Sequence, residues 1–234
     1  MDDRRVNAYL ALSIVAAILI VIIILLYGHS ENNIRDFERI VFAAIFILCC
    51  ALAVSFAIKP NWLKRLTHHG DNVLNETTAH KITRMRRGHH PDCKGFEAHI
   101  VRIKNRIICS GCLGLASGSV ISIVLVLVSL NVLDVMPAYF LYIMIILGFV
   151  FIAANYIEIK FLERKAYVHI ILSALLPISF CLVSRGLLEL TGSIFFGFVG
   201  LLISFLWLDT RIQLSLWHHE SICKNCKEKC NGGG

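Results

Sequence analysis

Six of the nine cysteines fall into two polar clusters, Cys93/Cys109/Cys112 and Cys223/Cys226/Cys230, and histidines accompany both. Cys109-Ser110-Gly111-Cys112 is a C-x-x-C pair followed by Gly114. Such a turn lets two thiolates converge on one metal while backbone N–H groups point at the sulfurs. Cys93 stands before Cys109 with fifteen residues between them, a spacing that a hairpin would close. Cys93, Cys109 and Cys112 with one histidine form a Cys₃His set suited to tetrahedral zinc. His99 is the first choice for the fourth ligand and His90 the next, because Pro91 can turn the chain there. A closed set of four is structural. A set that lacks the histidine keeps an open, catalytic position.

The second cluster has its own geometry. His219, Cys223, Cys226 and Cys230 follow i, i+4, i+7, i+11. One straight helix would spread them over about 16 Å, whereas tetrahedral zinc needs ligands within about 4 Å of each other. Either the tail folds back around a second zinc ion, or part of it completes the first site, or it is a solvated end. An iron–sulfur cluster is the alternative cofactor, since thiolates alone do not exclude one.

The elements that must position these residues are membrane spans. The chain has 234 residues, 57% hydrophobic and 17% charged, with a mean hydropathy of +0.71. A soluble domain is about 45–50% apolar and about 25% charged. A bilayer core of about 30 Å needs about 20 helical residues. Runs of that order are Val6–Tyr27, Ile40–Ile58, Leu113–Leu133, Pro137–Ala154, Ala166–Val183 and Gly192–Leu208. The first is too long for a signal-peptide core of about 7–15 residues and is read as an uncleaved span. The fold expected is an all-α integral membrane protein with six transmembrane helices. Residues 1–58 carry helices one and two, 59–112 a basic Cys/His loop, 113–208 helices three to six, and 209–234 a Cys-rich tail. Inside the loop, 71–88 has the pattern of a basic amphipathic helix lying on the membrane surface. Ile100–Ile108 reads as a small zinc-ribbon-like hairpin turning at Lys104-Asn105, too small to stand without metal. Gly114 and Gly118, and later Gly197 and Gly200, are positions for close helix packing. Pro177 is a kink position.

The net charge of +7 is read as topology and contact with anionic lipid headgroups, not as a nucleic-acid signal. About eleven Lys and Arg lie between Lys59 and Arg106, none in the turn after span three, and only Arg185 after span five. The alternation gives six spans with both termini, and both cysteine clusters, in the cytoplasm. Thiols are kept reduced there, which favours metal over disulfides. Cys49, Cys50 and Cys181 sit in or beside apolar runs and read as small hydrophobes. No acidic or basic residue falls deep in these runs, which argues against a pump or coupled transporter. Asn155, Glu158 and His169 fall at the ends of spans four and five, as interfacial anchors or as the lining of a site beside the cysteines.

Cys93, Phe96, Cys109, Cys112, Gly114 and Gly118 together resemble the motif of a family of small multi-spanning prokaryotic membrane proteins without assigned activity. The resemblance covers about thirty residues. Lys94 stands where that family usually has histidine, and Gly111 where it usually has arginine. The loop's position between spans two and three is also similar to that of the cysteine-rich zinc domain of protein S-acyltransferases. Their Asp-His-His-Cys order is not that of His89-His90-Pro91-Asp92-Cys93. Together these features point to a cell-membrane protein with a cytosolic zinc module acting as scaffold, assembly factor or sensor, with a protein partner or a second copy of itself. The enzyme alternative is a membrane thiol or acyl-transfer catalyst. Metal or solute transport and electron transfer are further alternatives. A closed four-ligand site favours the scaffold, and an open site beside a membrane-depth pocket favours the enzyme. Reporter fusions test the topology: those at Gly234 and near Gly70 should report one side and one near Asn32 the other, and agreement between Gly234 and Asn32 would rule out six spans.

Overall fold

A computed structural model describes residues 3–28, 34–58, 100–103, 106–132, 137–162 and 165–225. The amphipathic segment at 71–88 and the turn at Lys104-Asn105 lie outside the described residues. Helix α1 runs Asp3–Tyr27 and α2 Asp36–Ile58. A hairpin of β1 (Ile100–Ile103) and β2 (Arg106–Cys109) leads into α3 (Ser110–Val132). Then come α4 (Ala138–Phe161), α5 (Ala166–Thr191) and α6 (Ile194–Asn225). All six helices are long and apolar enough to cross a membrane, and the protein is a multi-pass membrane protein. Large apolar side chains such as Leu25, Ile146 and Leu202 are 61–74% exposed on the outside of the bundle. In water that surface would be a liability; in a bilayer it is the lipid face, because every backbone group behind it is satisfied inside a helix.

Helix α5 is the centre, packing on α3, α4 and α6, while α2 lies on α3 and α1 on α6. The main core gathers Ile20, Ile152, Leu176, Leu187 and Trp207 from α1, α4, α5 and α6. Residue Gly192 ends α5 in the left-handed conformation, φ 60°, which costs glycine nothing and lets α6 begin at once. The α3–α5 contact depends on the two glycines expected to allow it. A Cβ on Gly118 would collide with the backbone of Ala174, and one on Gly114 would lie 2.6 Å from the Ser173 Cβ.

Two expectations about the spans are corrected. The fifth apolar run stops at Val183 in the sequence, but α5 continues to Thr191 and buries Arg185 at 1% exposure. The sixth stops at Leu208, but α6 continues to Asn225 and buries Arg211 at 6%. Charged residues therefore do lie inside the spanning helices. Arg185 Nη2 is 3.2 Å from Glu189 Oε1, and Arg39 Nη2 of α2 is 2.9 Å from Glu189 Oε2. These pairings let charge continue into the bundle where a run of apolar residues stops.

The Gly118 contact gives a direct test. Gly118→Val should destabilise the bundle by at least about 1–3 kcal/mol, because the backbone it meets cannot turn aside. Thermal unfolding in detergent should show a clear loss, with little change for Val124→Leu on the lipid face.

Candidate thiol site

The hairpin is antiparallel, with Ile100 opposite Cys109, Val101 opposite Ile108, Arg102 opposite Ile107 and Ile103 opposite Arg106. Its β-branched residues favour the strand, and its short length leaves it dependent on the element it joins. That element is α3, reached without a linker. Cys109 ends β2, and Cys112 stands in the first turn of a spanning helix. The sequence placed this pair on a turn ahead of a span beginning at Leu113; the helix instead begins at Ser110 and takes Cys112 into the bundle. The two thiols are within hydrogen-bonding contact.

Beneath the pair lies a buried polar cluster drawn from three helices. A Cβ on Gly111 would stand 3.1 Å from Arg211 Nη2 of α6 and 3.1 Å from His169 Nε2 of α5. The absence of a side chain at 111 is what lets both groups reach the C-x-x-C turn. Arg211 Nη2 donates to Ser173 Oγ at 2.7 Å. His169 Nδ1 is 2.9 Å and 3.1 Å from the two carboxylate oxygens of Glu158 on α4. The carboxylate accepts the Nδ1 proton, orients the ring, and turns Nε2 toward Gly111. His169 is 3% exposed and Glu158 1%. They are thus buried partners, not anchors in the interface.

One helical turn before Glu158, Asn155 is wholly buried with no hydrogen-bond partner for either amide atom among the described residues, and Arg211 Nε has none either. Buried polar atoms are ordinarily satisfied, so such atoms mark a place for water or a ligand. Around them the scaffold is tied. Tyr156 donates from its hydroxyl to the Trp207 carbonyl at 2.8 Å, Trp207 Nε1 donates to the Ser13 carbonyl at 3.3 Å, and the hydroxyls of Ser13 and Thr210 are 2.8 Å apart.

On its other side Cys112 faces an apolar cavity of about 330 Å³ between α2, α3, α5 and α6. Ala57 and Ile212 flank Cys112 at one end of the lining, Phe46 and Leu201 lie at the other, and Cys49 and Cys50 are on the wall. Cys50 and Cys181 are buried in the apolar core, as their surroundings in sequence implied.

Of the metal ligands expected, the structure brings together Cys109 and Cys112. Cys93, His90, His99, Cys226 and Cys230 lie outside the described residues. His219 is on α6, and Cys223 follows it by four residues on the same helix. Among the described residues no three His, Cys, Asp or Glu side chains gather into a metal-binding group. The site also holds two residues that sequence reasoning missed, Arg211 and Ser173. The signal that could have found the first was the apolar pattern resuming past Asp209 at Ile212, Leu214 and Trp217, which carries the helix, and Arg211 with it, beyond the hydropathy boundary.

The Glu158–His169 pair can be weighed directly. Glu158→Ala should cost about 3–5 kcal/mol, the price of leaving one half of a buried pair alone. Glu158→Gln, which still offers an acceptor to Nδ1–H, should cost less, and the Glu158→Ala/His169→Ala double variant should cost less than the sum of the singles. Additive losses in detergent unfolding would show that the two are not coupled. No family description, curated protein or solved structure matches this chain, so a functional reading rests on the geometry of the thiol pair and its neighbours.

Proposed function

We propose that the protein is a membrane-embedded thiol enzyme of the acyl-transfer class, with Cys112 as nucleophile toward a substrate that enters from the bilayer. One observation carries this reading. Cys112 lies in the first turn of a spanning helix, touches Cys109, and forms part of the wall of an apolar cavity. A metal knuckle serving only as a scaffold needs no such opening onto the membrane interior.

The surrounding groups fit the chemistry. The nearby guanidinium of Arg211 stabilises the oxyanion formed when sulfur adds to a carbonyl carbon. The C–S bond forms as the bond from the carbonyl to its leaving group breaks. The leaving group takes up the proton that the thiol has lost. His169, oriented by Glu158, is the group placed to relay that proton. The resembling family usually carries arginine where this chain has Gly111. Here Arg211 brings a guanidinium to the same turn from α6.

A structural zinc centre is the second reading. It is favoured by the register that pairs Ile100 with Cys109, since His99 immediately precedes Ile100. Cys109 and Cys112 would supply two of four tetrahedral ligands.

One preparation distinguishes the readings. Purified protein incubated with a long-chain acyl thioester should gain one hydroxylamine-labile acyl mass, absent in Cys112→Ser and strongly reduced in His169→Ala. If no variant acquires an adduct, and a full zinc equivalent is lost in both Cys109→Ser and Cys112→Ser, the structural zinc centre replaces the enzyme.

A further inference from the structure

We infer that the cavity beside Cys112 is the seat of a single long-chain carboxylate, its hydrocarbon tail between α2 and α6 and its head at Arg211. A free acid has no leaving group to give up to a thiol, so it stands for the acyl chain and not for the acyl donor. That the same seat holds the chain of an acyl thioester rests on the thiol-enzyme reading, whereas binding of the acid does not.

Length comes first. The cavity lining extends from Phe46 to Ala57 on α2 and from Leu201 to Ile212 on α6. Either stretch covers about 16 Å of helix axis at about 1.5 Å per residue. That is about half of a hydrocarbon core of about 30 Å, the depth of one leaflet. A cavity of about 330 Å³ spread over that length has room for an extended hydrocarbon chain.

Wall chemistry comes second. Phenylalanine, leucine, alanine and cysteine side chains dominate the lining. Of its two serines, Ser204 gives its hydroxyl proton to the Gly200 carbonyl at 2.9 Å. A sugar, peptide or nucleotide placed here would lose its hydrogen bonds to water without replacement. A methylene chain loses none.

The head is set by charge. Arg211 does not line the cavity itself; it is 6% exposed, and its guanidinium reaches the turn at Gly111, next to Cys112, which does line the cavity. Its Nη2 is bound to the neutral Ser173 hydroxyl, its Nε has no hydrogen-bond partner among the described residues, and the carboxylate of Glu158 is engaged by His169. A buried guanidinium in this state calls for an anion with acceptor oxygens. A carboxylate supplies one negative charge and two oxygens, and a chain anchored there brings its carboxyl carbon to the thiol of Cys112.

The test uses the full-length protein in detergent and a sixteen-carbon fatty acid carrying a photoreactive group at its terminal carbon. Binding is read in the Cys109→Ser/Cys112→Ser variant, so that no thiol chemistry contributes. Saturable labelling should map to the segments around Phe46 and Leu201. Palmitate should displace it, and methyl palmitate, which lacks the charge, should compete about tenfold or more weakly. Arg211→Gln should weaken binding by a similar factor. Ala53→Trp should abolish labelling by filling the cavity; if that variant does not fold, Leu208→Trp makes the same test from the opposite wall. Labelling that does not saturate, that scatters over lipid-facing residues such as Ile146 and Leu202, or that a two-chain phospholipid or a polyprenyl chain displaces better than palmitate overturns the inference. Equal competition by the methyl ester overturns it as well. Cavity labelling by the fatty acid, with no adduct on Cys112 when the wild-type protein is given the long-chain acyl thioester, leaves the ligand site standing and removes the transfer chemistry. An adduct without cavity labelling does the reverse.

Discussion

The close approach of α3 to α5 is the contact on which the rest depends. Gly111, Gly114 and Gly118 share one face of α3; Gly114 and Gly118 meet backbone of α5 that no side chain could share, and a side chain at 111 would crowd its neighbours. Gly111 lies against His169, Gly114 against Ile170 and Ser173, and Gly118 against Ala174. In a membrane the lipid tails are as apolar as the helix surface, so helices associate through packing density and not through expulsion of water. A glycine face gives that density. It also brings the start of α3, with its two thiols, onto the one stretch of α5 that carries a histidine and a serine. The chemical site is thus a by-product of the packing rule.

Charge inside the bundle obeys a similar constraint. Along α5, His169 stands near one end and the Arg185–Glu189 pair near the other, separated by about 24 Å at about 1.5 Å per residue, close to the thickness of the hydrocarbon core. Each is paired to a different helix, His169 to Glu158 of α4 and Glu189 to Arg39 of α2. Isolated charges at these depths would be costly, and pairs across helices offset much of that cost. Because the pairs sit at both ends of the central helix, α4 and α2 are fixed in register with it. Sliding either by one residue would separate charges that have no water to turn to.

The six spans were legible because an apolar run of about 20 residues has few other uses. The hairpin was legible because isoleucine and valine flank the polar pair Lys104-Asn105. Helix ends were not, since hydropathy falls at the first charge, while a helix continues as long as that charge finds a partner. Arg185 looks like a loop residue until Glu189 and Arg39 are seen beside it, and Arg211 looks like the start of a tail until Ser173 and Gly111 are seen. That information is carried by other helices and is not local. The thiol pair itself was visible from its spacing, and so were Glu158 and His169 as candidates for its surroundings. What the spacing of Cys109 and Cys112 could not show is that the second thiol belongs to the helix and therefore to the bundle.

That position gives Cys112 two unlike neighbours. On the side of Gly111 lie Arg211, His169, Glu158 and, one turn from Glu158, Asn155 with its unsatisfied amide. On the side of α2 lies a cavity of hydrocarbon walls. Electrostatic interactions strengthen as water is excluded, so a guanidinium and a histidine–carboxylate pair here act on a neighbouring thiol more strongly than they would at a wet surface. In the proposed reaction the apolar cavity would perform the exclusion, and the polar cluster would supply the field and the proton relay. Neither half alone would serve a thiol acting on a molecule dissolved in the membrane. A thiol at their boundary is where such a molecule can bring a polar head to one half while leaving its tail in the other.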